Sequence, residues 1–144
     1  MHKEGEIRVL ALGIIRDGDR IFISQGYDPV KQQTFYRAMG GGVDFGETSF
    51  AALQREFQEE IQADLTNIRY LGCLENLFTF NGKQGHEILQ VYQCDFVDSK
   101  FYQLESLVFA EGTRQKTALW VNIAQFKSEE LLLVPEQFLD FLGW

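Results

Sequence analysis

Long apolar runs, cysteine and proline are scarce in this chain of 144 residues. The longest early apolar run, from Val9 to Ile15, falls far short of the roughly 18 residues that span a bilayer. The sequence therefore predicts neither a membrane-spanning segment nor a secretory signal. Its two cysteines, Cys73 and Cys94, lack metal-type spacing. We expect two reduced thiols and a cytoplasmic location.

Positive charge is also in the minority. Thirteen Lys and Arg residues stand against twenty-one Asp and Glu residues, and the net charge is −8. Such a chain is not expected to coat a nucleic acid polymer or an anionic membrane. Such a chain can still bind a small anionic substrate if a cation is bound at the site, and a divalent metal is the obvious candidate.

The length fits a single domain over residues 1–144. Two apolar runs, 8–15 and 20–25, flank an Asp-Gly turn and predict a β-hairpin. A short strand over 35–38 leads into Gly40, Gly41 and Gly42, which we expect to lie outside any strand or helix interior. Later strands are predicted over 65–80, 87–97 and 117–121, with a turn over 81–85, a long irregular connection over 98–116 and a terminal helix over 135–142. Mixed strands with two helices indicate an α/β sandwich.

The most informative segment is a predicted helix over residues 48–63. Its apolar stripe has helical spacing, and Thr48 or Ser49 can cap its start; the stripe comprises Phe50, Leu53, Phe57 and Ile61. Three glutamates, Glu56, Glu59 and Glu60, share an arc of about 100° beside this stripe. Taken alone, such a cluster is more often a solvated helix face. Carboxylates half-shielded at the edge of a core, however, are also what Mg²⁺ or Mn²⁺ binds.

The residues upstream favour the metal site. The upstream residues and the three glutamates together follow the spacing G-x5-E-x7-R-E-U-x-E-E-x-G-U, where U is bulky and aliphatic. The fixed matches are Gly41, Glu47, Arg55, Glu56, Glu59 and Glu60. This pattern resembles the Nudix box of the Nudix hydrolases, here running from Gly41 to Ala63. Gln62 replaces the final box glycine, so we expect the helix to run on or to end differently. The resemblance implies a Nudix-type α/β/α sandwich with a mixed β-sheet.

The resemblance also implies an activity, namely hydrolysis of the pyrophosphate bond in a nucleoside diphosphate linked to another group, X. Mg²⁺ or Mn²⁺ would serve as cofactor. Glu56 and Glu60 would be the main metal ligands, with Glu59 and the Gly40 carbonyl as further ligands. Glu47 and Arg55 would hold the loop to the helix. The general base stays open among Glu56, Glu59 and an acid further along the chain, Glu111 or Glu105.

Substrate contacts are expected from the glycine loop and its surroundings. Gly41 and Gly42 would let a small nucleotide-like substrate approach, Arg37 would contact a phosphate, and Glu111 would face the substrate. A homodimer is also expected from the family. The alternative function is a Nudix-like domain that binds a nucleotide as a sensor or interaction module without turnover.

Overall fold

The computed structural model describes residues 5–143. Strands β1 (Ile7–Asp17) and β2 (Arg20–Asp28) form the predicted hairpin, and Asp17 pairs with Arg20 across its turn. The two strands pair only close to this turn and then separate. Strand β3 (Gln33–Arg37) pairs with β2, and strand β4 (Met39–Gly42) pairs with β1, so both fill the space between the separated strands.

Strand β4 contradicts the expectation that the glycine run lies outside strands. Gly40, Gly41 and Gly42 pair in antiparallel register with β1. Glycine is required here because β4 approaches β1 very closely. A Cβ atom at Gly40, whose φ is +147°, would lie 2.0 Å from the carbonyl oxygen of Ala11.

The remaining strands complete a mixed sheet. Strands β5 (Leu65–Phe80) and β6 (Lys83–Phe96) form a long hairpin, and β7 (Ser106–Glu111) pairs with β8 (Arg114–Asn122). The strand order is β5-β6-β1-β2-β8-β7, and the β1–β6 pair is parallel. The turn after β5 is shorter than predicted. The predicted irregular connection over 98–116 is wrong, because it contains a 3₁₀ helix, β7 and the start of β8.

Helices cover both faces of the sheet, which confirms the α/β/α sandwich. Side chains alternate along β1, so that Ala11 and Ile15 pack towards helix α1 (Ser49–Ile61), while Leu12 and Ile14 pack towards the opposite layer. That layer contains a short helix that sequence analysis missed, α2 (Ile123–Lys127), and the predicted terminal helix, which is a 3₁₀ helix over Glu136–Leu142.

Helix α1 begins and ends at identifiable caps. The Thr48 hydroxyl accepts a hydrogen bond from the Ala51 amide at 3.1 Å. At the other end Gln62 adopts the left-handed conformation, with φ 51° and ψ 44°, and its amide donates to the Gln58 carbonyl at 3.1 Å. The expectation that the helix runs on is wrong, since Gln62 takes up the conformation that glycine would provide. Phe50, expected on the buried stripe, is 48% exposed.

Two further expectations concern the described part of the chain. No helix within residues 5–143 has the length and apolar character needed to cross a membrane. Cys73 is exposed and Cys94 is buried, and both are free thiols.

Candidate active site

Arg55 fastens the loop between β4 and α1 to the helix. Its Nε and Nη2 atoms donate to the two carboxylate oxygens of Glu47 at 2.8 and 2.9 Å. Nη2 also donates to the Gly42 carbonyl at 2.9 Å, and Nη1 donates to Oε1 of Glu56 at 3.0 Å. The hydrogen bonds from Arg55 lower the pKa of Glu47 to about 2. This two-pronged pairing fixes the loop geometry and orients Glu56.

Gly41 provides the space in which the Glu56 carboxylate lies. A Cβ atom at Gly41 would come within 2.3 Å of Cδ and 2.5 Å of Oε2 of Glu56. The Glu56 side chain is 16% exposed. Burial raises the pKa of Glu56, and the Arg55 hydrogen bond opposes part of that rise. The glycine therefore lets a half-buried carboxylate lie directly against strand β4.

Glu59 and Glu60 are neighbours in sequence but lie in different environments. The Glu59 side chain is 58% exposed, with Oε2 3.2 Å from Nη1 of Arg55. Glu60 is half-buried and forms a hydrogen bond with Glu111 at the end of β7. Burial and the adjacent carboxyl group raise the pKa of Glu60 to about 9. The two carboxyl groups therefore share a proton.

Glu111 is itself held from the other side. Its Oε1 atom lies 3.2 Å from Nζ of Lys116 on β8. Burial acts to raise the pKa of Glu111, but Lys116 and the hydrogen bond from Glu60 outweigh it, and the pKa is lowered. Of the two late acids that the sequence offers as a base, the structure brings Glu111 to the box. Glu105 precedes the opposite end of β7, six residues and about 20 Å of extended chain away.

The carboxylates of Glu56, Glu59 and Glu60 are of a type that fits a hard divalent cation, although the structure does not group them around one point. Within residues 5–143, no three His, Cys, Asp or Glu side chains form a ready-made metal site. In this arrangement Arg55 bonds to Glu56 and Glu59, and Glu60 bonds to Glu111. Carboxylate oxygens are nevertheless the ligands that Mg²⁺ and Mn²⁺ prefer. A cation near Glu56 and Glu60 would replace the proton that burial now favours.

A cleft of about 390 Å³ opens beside Glu111. Five basic and four acidic side chains line it, in a chain whose net charge is −8. Arg8 reaches Gly42 of β4 from this cleft, since a Cβ atom at Gly42 would lie 3.0 Å from its Nη2 atom. No ion pair engages Arg8 among the described residues. The protein thus offers positive charge of its own to an anion.

Arg37 lines the same cleft, and its phosphate contact stays a prediction. Its Nη2 atom lies 3.1 Å from Oε1 of Glu87, which is only 2% exposed. Sequence analysis did not assign Glu87 to the site. The sequence does contain one indication of its role: Glu87 lies on the same face of its strand as Leu89 and Val91, which are fully buried. A charge at a core-facing strand position indicates a special environment.

The chain belongs to the Nudix family, because the NUDIX domain matches residues 6–142. Nudix hydrolases cleave pyrophosphate bonds and generally use divalent metals such as Mg²⁺ or Mn²⁺. No curated protein matches the chain.

Solved structures support the fold. A NUDIX hydrolase from Nitrosomonas europaea superimposes with a TM-score of 0.66 at 15% identity, covering 95% of this chain and 86% of that one. A MutT protein from Bacillus halodurans gives a TM-score of 0.64 at 17% identity, covering 94% and 80%. A MutT NUDIX hydrolase from Burkholderia pseudomallei gives 0.59 at 22% identity, covering 81% and 84%. At these identities the likeness establishes the fold alone.

Proposed function

We propose that this protein hydrolyses the pyrophosphate bond of a nucleoside diphosphate linked to another group, X, with Mg²⁺ or Mn²⁺ as cofactor. One observation carries the proposal. The half-buried carboxyl group of Glu60 bonds to Glu111, whose charge also acts on the half-buried Glu56, and Glu111 lines a cleft with five basic and four acidic side chains. Binding of an anion and binding of a cation are thus both favoured, side by side.

The metal site is assigned to the box. Glu56 and Glu60 would be the main ligands, and Glu59 and the Gly40 carbonyl would complete the protein's share. When bound, the metal would neutralise the diphosphate and lower the pKa of the attacking water. Arg55 holds Glu56 in place through its hydrogen bond and is itself fixed by Glu47.

The other residues bind the substrate and accept the proton. Arg37 supplies a cation to the phosphates from the cleft wall, and Gly41 and Gly42 let the substrate approach the backbone. A carboxylate must take the proton that the water loses, and the candidates are Glu56, Glu59 and Glu111. Glu111 is the one of these three that lines the cleft.

A substrate screen tests the proposal. Nucleoside triphosphates, nucleotide sugars, dinucleoside polyphosphates and ADP-ribose would be incubated with Mg²⁺ or Mn²⁺, and the released products separated by chromatography. Turnover should require the metal and vanish in excess chelator. On the best substrate, Glu56→Gln and Glu60→Gln should each reduce turnover by about 100-fold or more, because each removes a negative charge from the metal site.

The matched control is Glu105→Gln, which makes the same chemical change at the far end of β7. It should leave turnover within a few-fold. Near-normal rates for both box variants would show that the acidic face is only a solvated surface. Tight nucleotide binding without any turnover would instead identify a sensor or interaction module.

The remaining assignments are coarser. The proposed partner is a small nucleotide and not a nucleic acid polymer or a membrane, in keeping with an acidic chain that places five of its thirteen basic residues around one cleft. We place the protein in the cytoplasm, which its free thiols favour. A homodimer stays a prediction from the family.

A further inference from the structure

The cleft contains a buried carboxylate with an unused oxygen. Glu87 lies on β6 opposite Asn76 of β5 and Arg8 of β1, and all three residues line the cleft. Oε1 of Glu87 accepts hydrogen bonds from Nη2 of Arg37 at 3.1 Å and from Nδ2 of Asn76 at 3.2 Å. Its other oxygen, Oε2, accepts no hydrogen bond among residues 5–143.

A buried oxygen without a donor is unfavourable, so the arrangement favours a ligand that supplies one. Asn76 presents a second acceptor, because its carbonyl oxygen also receives no hydrogen bond within the described part of the chain. Arg37 uses only Nη2 for Glu87, and its Nε and Nη1 donors have no acceptor among these residues. The group formed by Glu87, Asn76 and Arg37 therefore offers two acceptors and a set of donors to the cleft.

The surrounding walls suit a flat aromatic ligand. Phe35, Phe78 and Phe80 line the same cleft, and the rings of Phe35 and Phe80 meet edge to face at 5.8 Å. A volume of about 390 Å³ lies within the range of small-molecule pockets. Aromatic side chains bind nucleobases of any identity, so hydrogen-bonding groups must provide the selection.

We propose that Glu87 and Asn76 bind the base of the nucleotide and select guanine, while Arg37 holds Glu87 in place and keeps its remaining donors for the phosphates. Guanine presents two adjacent N–H donor groups, N1–H and the 2-amino group, next to the O6 acceptor. The two acceptors, Oε2 of Glu87 and the carbonyl oxygen of Asn76, complement the two donor groups. Adenine and cytosine present one amino donor beside a ring acceptor, and uracil presents one N–H between two acceptors. This inference rests on the proposed function, because the base belongs to the proposed substrate.

Binding of nucleoside monophosphates tests the selection without turnover. The affinities of GMP, IMP, AMP and UMP for the full chain would be measured by calorimetry in the presence of a chelator. IMP differs from GMP only by lacking the 2-amino group. GMP should bind at least about tenfold more tightly than IMP, since IMP leaves a buried acceptor unpaired. The affinity for GMP should also exceed the affinities for AMP and UMP.

Two variants assign the preference to these residues. Glu87→Gln should reduce the preference for GMP over IMP or AMP to a few-fold or less. Because Glu87 is buried against Arg37, this variant can fail to fold, and Asn76→Ala on the more accessible strand β5 provides the second test in the same direction. Glu75→Gln is the matched control, since this exposed neighbour of Asn76 lies on the opposite face of β5 and should keep the preference.

The outcomes separate this inference from the proposed function. Equal affinity for the four monophosphates, or failure to bind GMP, would overturn the inference and leave Glu87 and Arg37 as a structural ion pair. So would an unchanged preference in folded Glu87→Gln and Asn76→Ala proteins. A protein that selects GMP but hydrolyses no pyrophosphate bond with Mg²⁺ or Mn²⁺ would refute the proposed function and retain the base site.

Discussion

Replacing Gln62 by glycine should stabilise the protein, because the native residue holds a left-handed conformation. Its φ is 51° and ψ is 44° at the end of α1. That conformation costs an ordinary L-residue about 1–2 kcal/mol, and glycine adopts it without the steric penalty. Two effects oppose the gain. Glycine has more freedom to lose on folding, and the exposed Gln62 side chain gives up its hydrogen bond of 3.3 Å to the Glu59 carbonyl.

The balance is a stabilisation of about 0.5–1 kcal/mol, which raises the melting temperature of a domain of this size by roughly 2–3 °C. Thermal unfolding followed by circular dichroism would measure it. A chelator would be present in every sample, because bound metal stabilises by mass action. Turnover should stay close to that of the parent, since the residues of the box that we assign to catalysis all precede Gln62.

The control is Gln54→Gly within the same helix. The Gln54 side chain also donates to a backbone carbonyl, that of Phe50 at 3.1 Å, but this position lies in the helix interior. Glycine there should destabilise by about 1 kcal/mol. The two substitutions remove a comparable hydrogen bond and differ in backbone conformation. If Gln62→Gly lowered the melting temperature as Gln54→Gly does, the left-handed helix end would be refuted.

Further predictions concern the carboxylates and their supports. The pKa of Glu60 in the folded state is raised to about 9 from 4.5, so its ionisation removes stability as pH rises from 4.5 towards 9. In chelator, Glu60→Gln should therefore raise the melting temperature increasingly over that window and not below pH 4.5; a constant difference at all pH values would contradict the shared proton. Gly41→Ala should reduce turnover by about 100-fold because its Cβ displaces the Glu56 carboxylate, while the melting temperature changes little. Parent-like turnover of this variant would show that the position of Glu56 is unimportant. Arg55→Lys should lower stability by about 1–3 kcal/mol, measured by urea unfolding, because one ammonium group cannot satisfy Glu47, Glu56 and the Gly42 carbonyl together.

Local features of the fold are predictable because they depend on neighbouring residues. The first hairpin follows from an Asp-Gly turn between apolar runs, and α1 follows from helical spacing and a hydroxyl cap at Thr48 or Ser49, of which the structure uses Thr48. The expectation for the glycines at 40–42 is wrong for a physical reason. Propensity disfavours glycine in a strand, but it says nothing of a partner strand so close that any Cβ would collide with it. The irregular connection over 98–116 is wrong for a similar reason, since the β7–β8 pairing supplies the order that its sequence lacks.

The candidate site likewise has a part that local sequence predicts and a part that it does not. The Nudix box lies within one continuous segment, so spacing along the helix is enough to identify its glutamates. The cleft has no such continuous segment. Arg8 and Glu87 are brought together by the parallel pairing of β1 with β6, and Arg37 reaches Glu87 from β3. These contacts join residues 50 or more positions apart, and no local pattern encodes them.

The proposed reaction depends on where charged side chains lie around the site and not on the net charge of the protein. The acidic groups that are assigned to the metal come from a short stretch of α1, and Glu111, a candidate for the general base, comes from β7. The basic groups come from separate strands, and the folded chain gathers five of its thirteen Lys and Arg residues around one cleft. An overall charge of −8 would repel a polyphosphate at long range, but salt screens that repulsion beyond roughly 8–10 Å. Within the cleft basic side chains outnumber acidic ones by five to four, so an acidic protein presents local positive charge to an anionic nucleotide in addition to that of the metal.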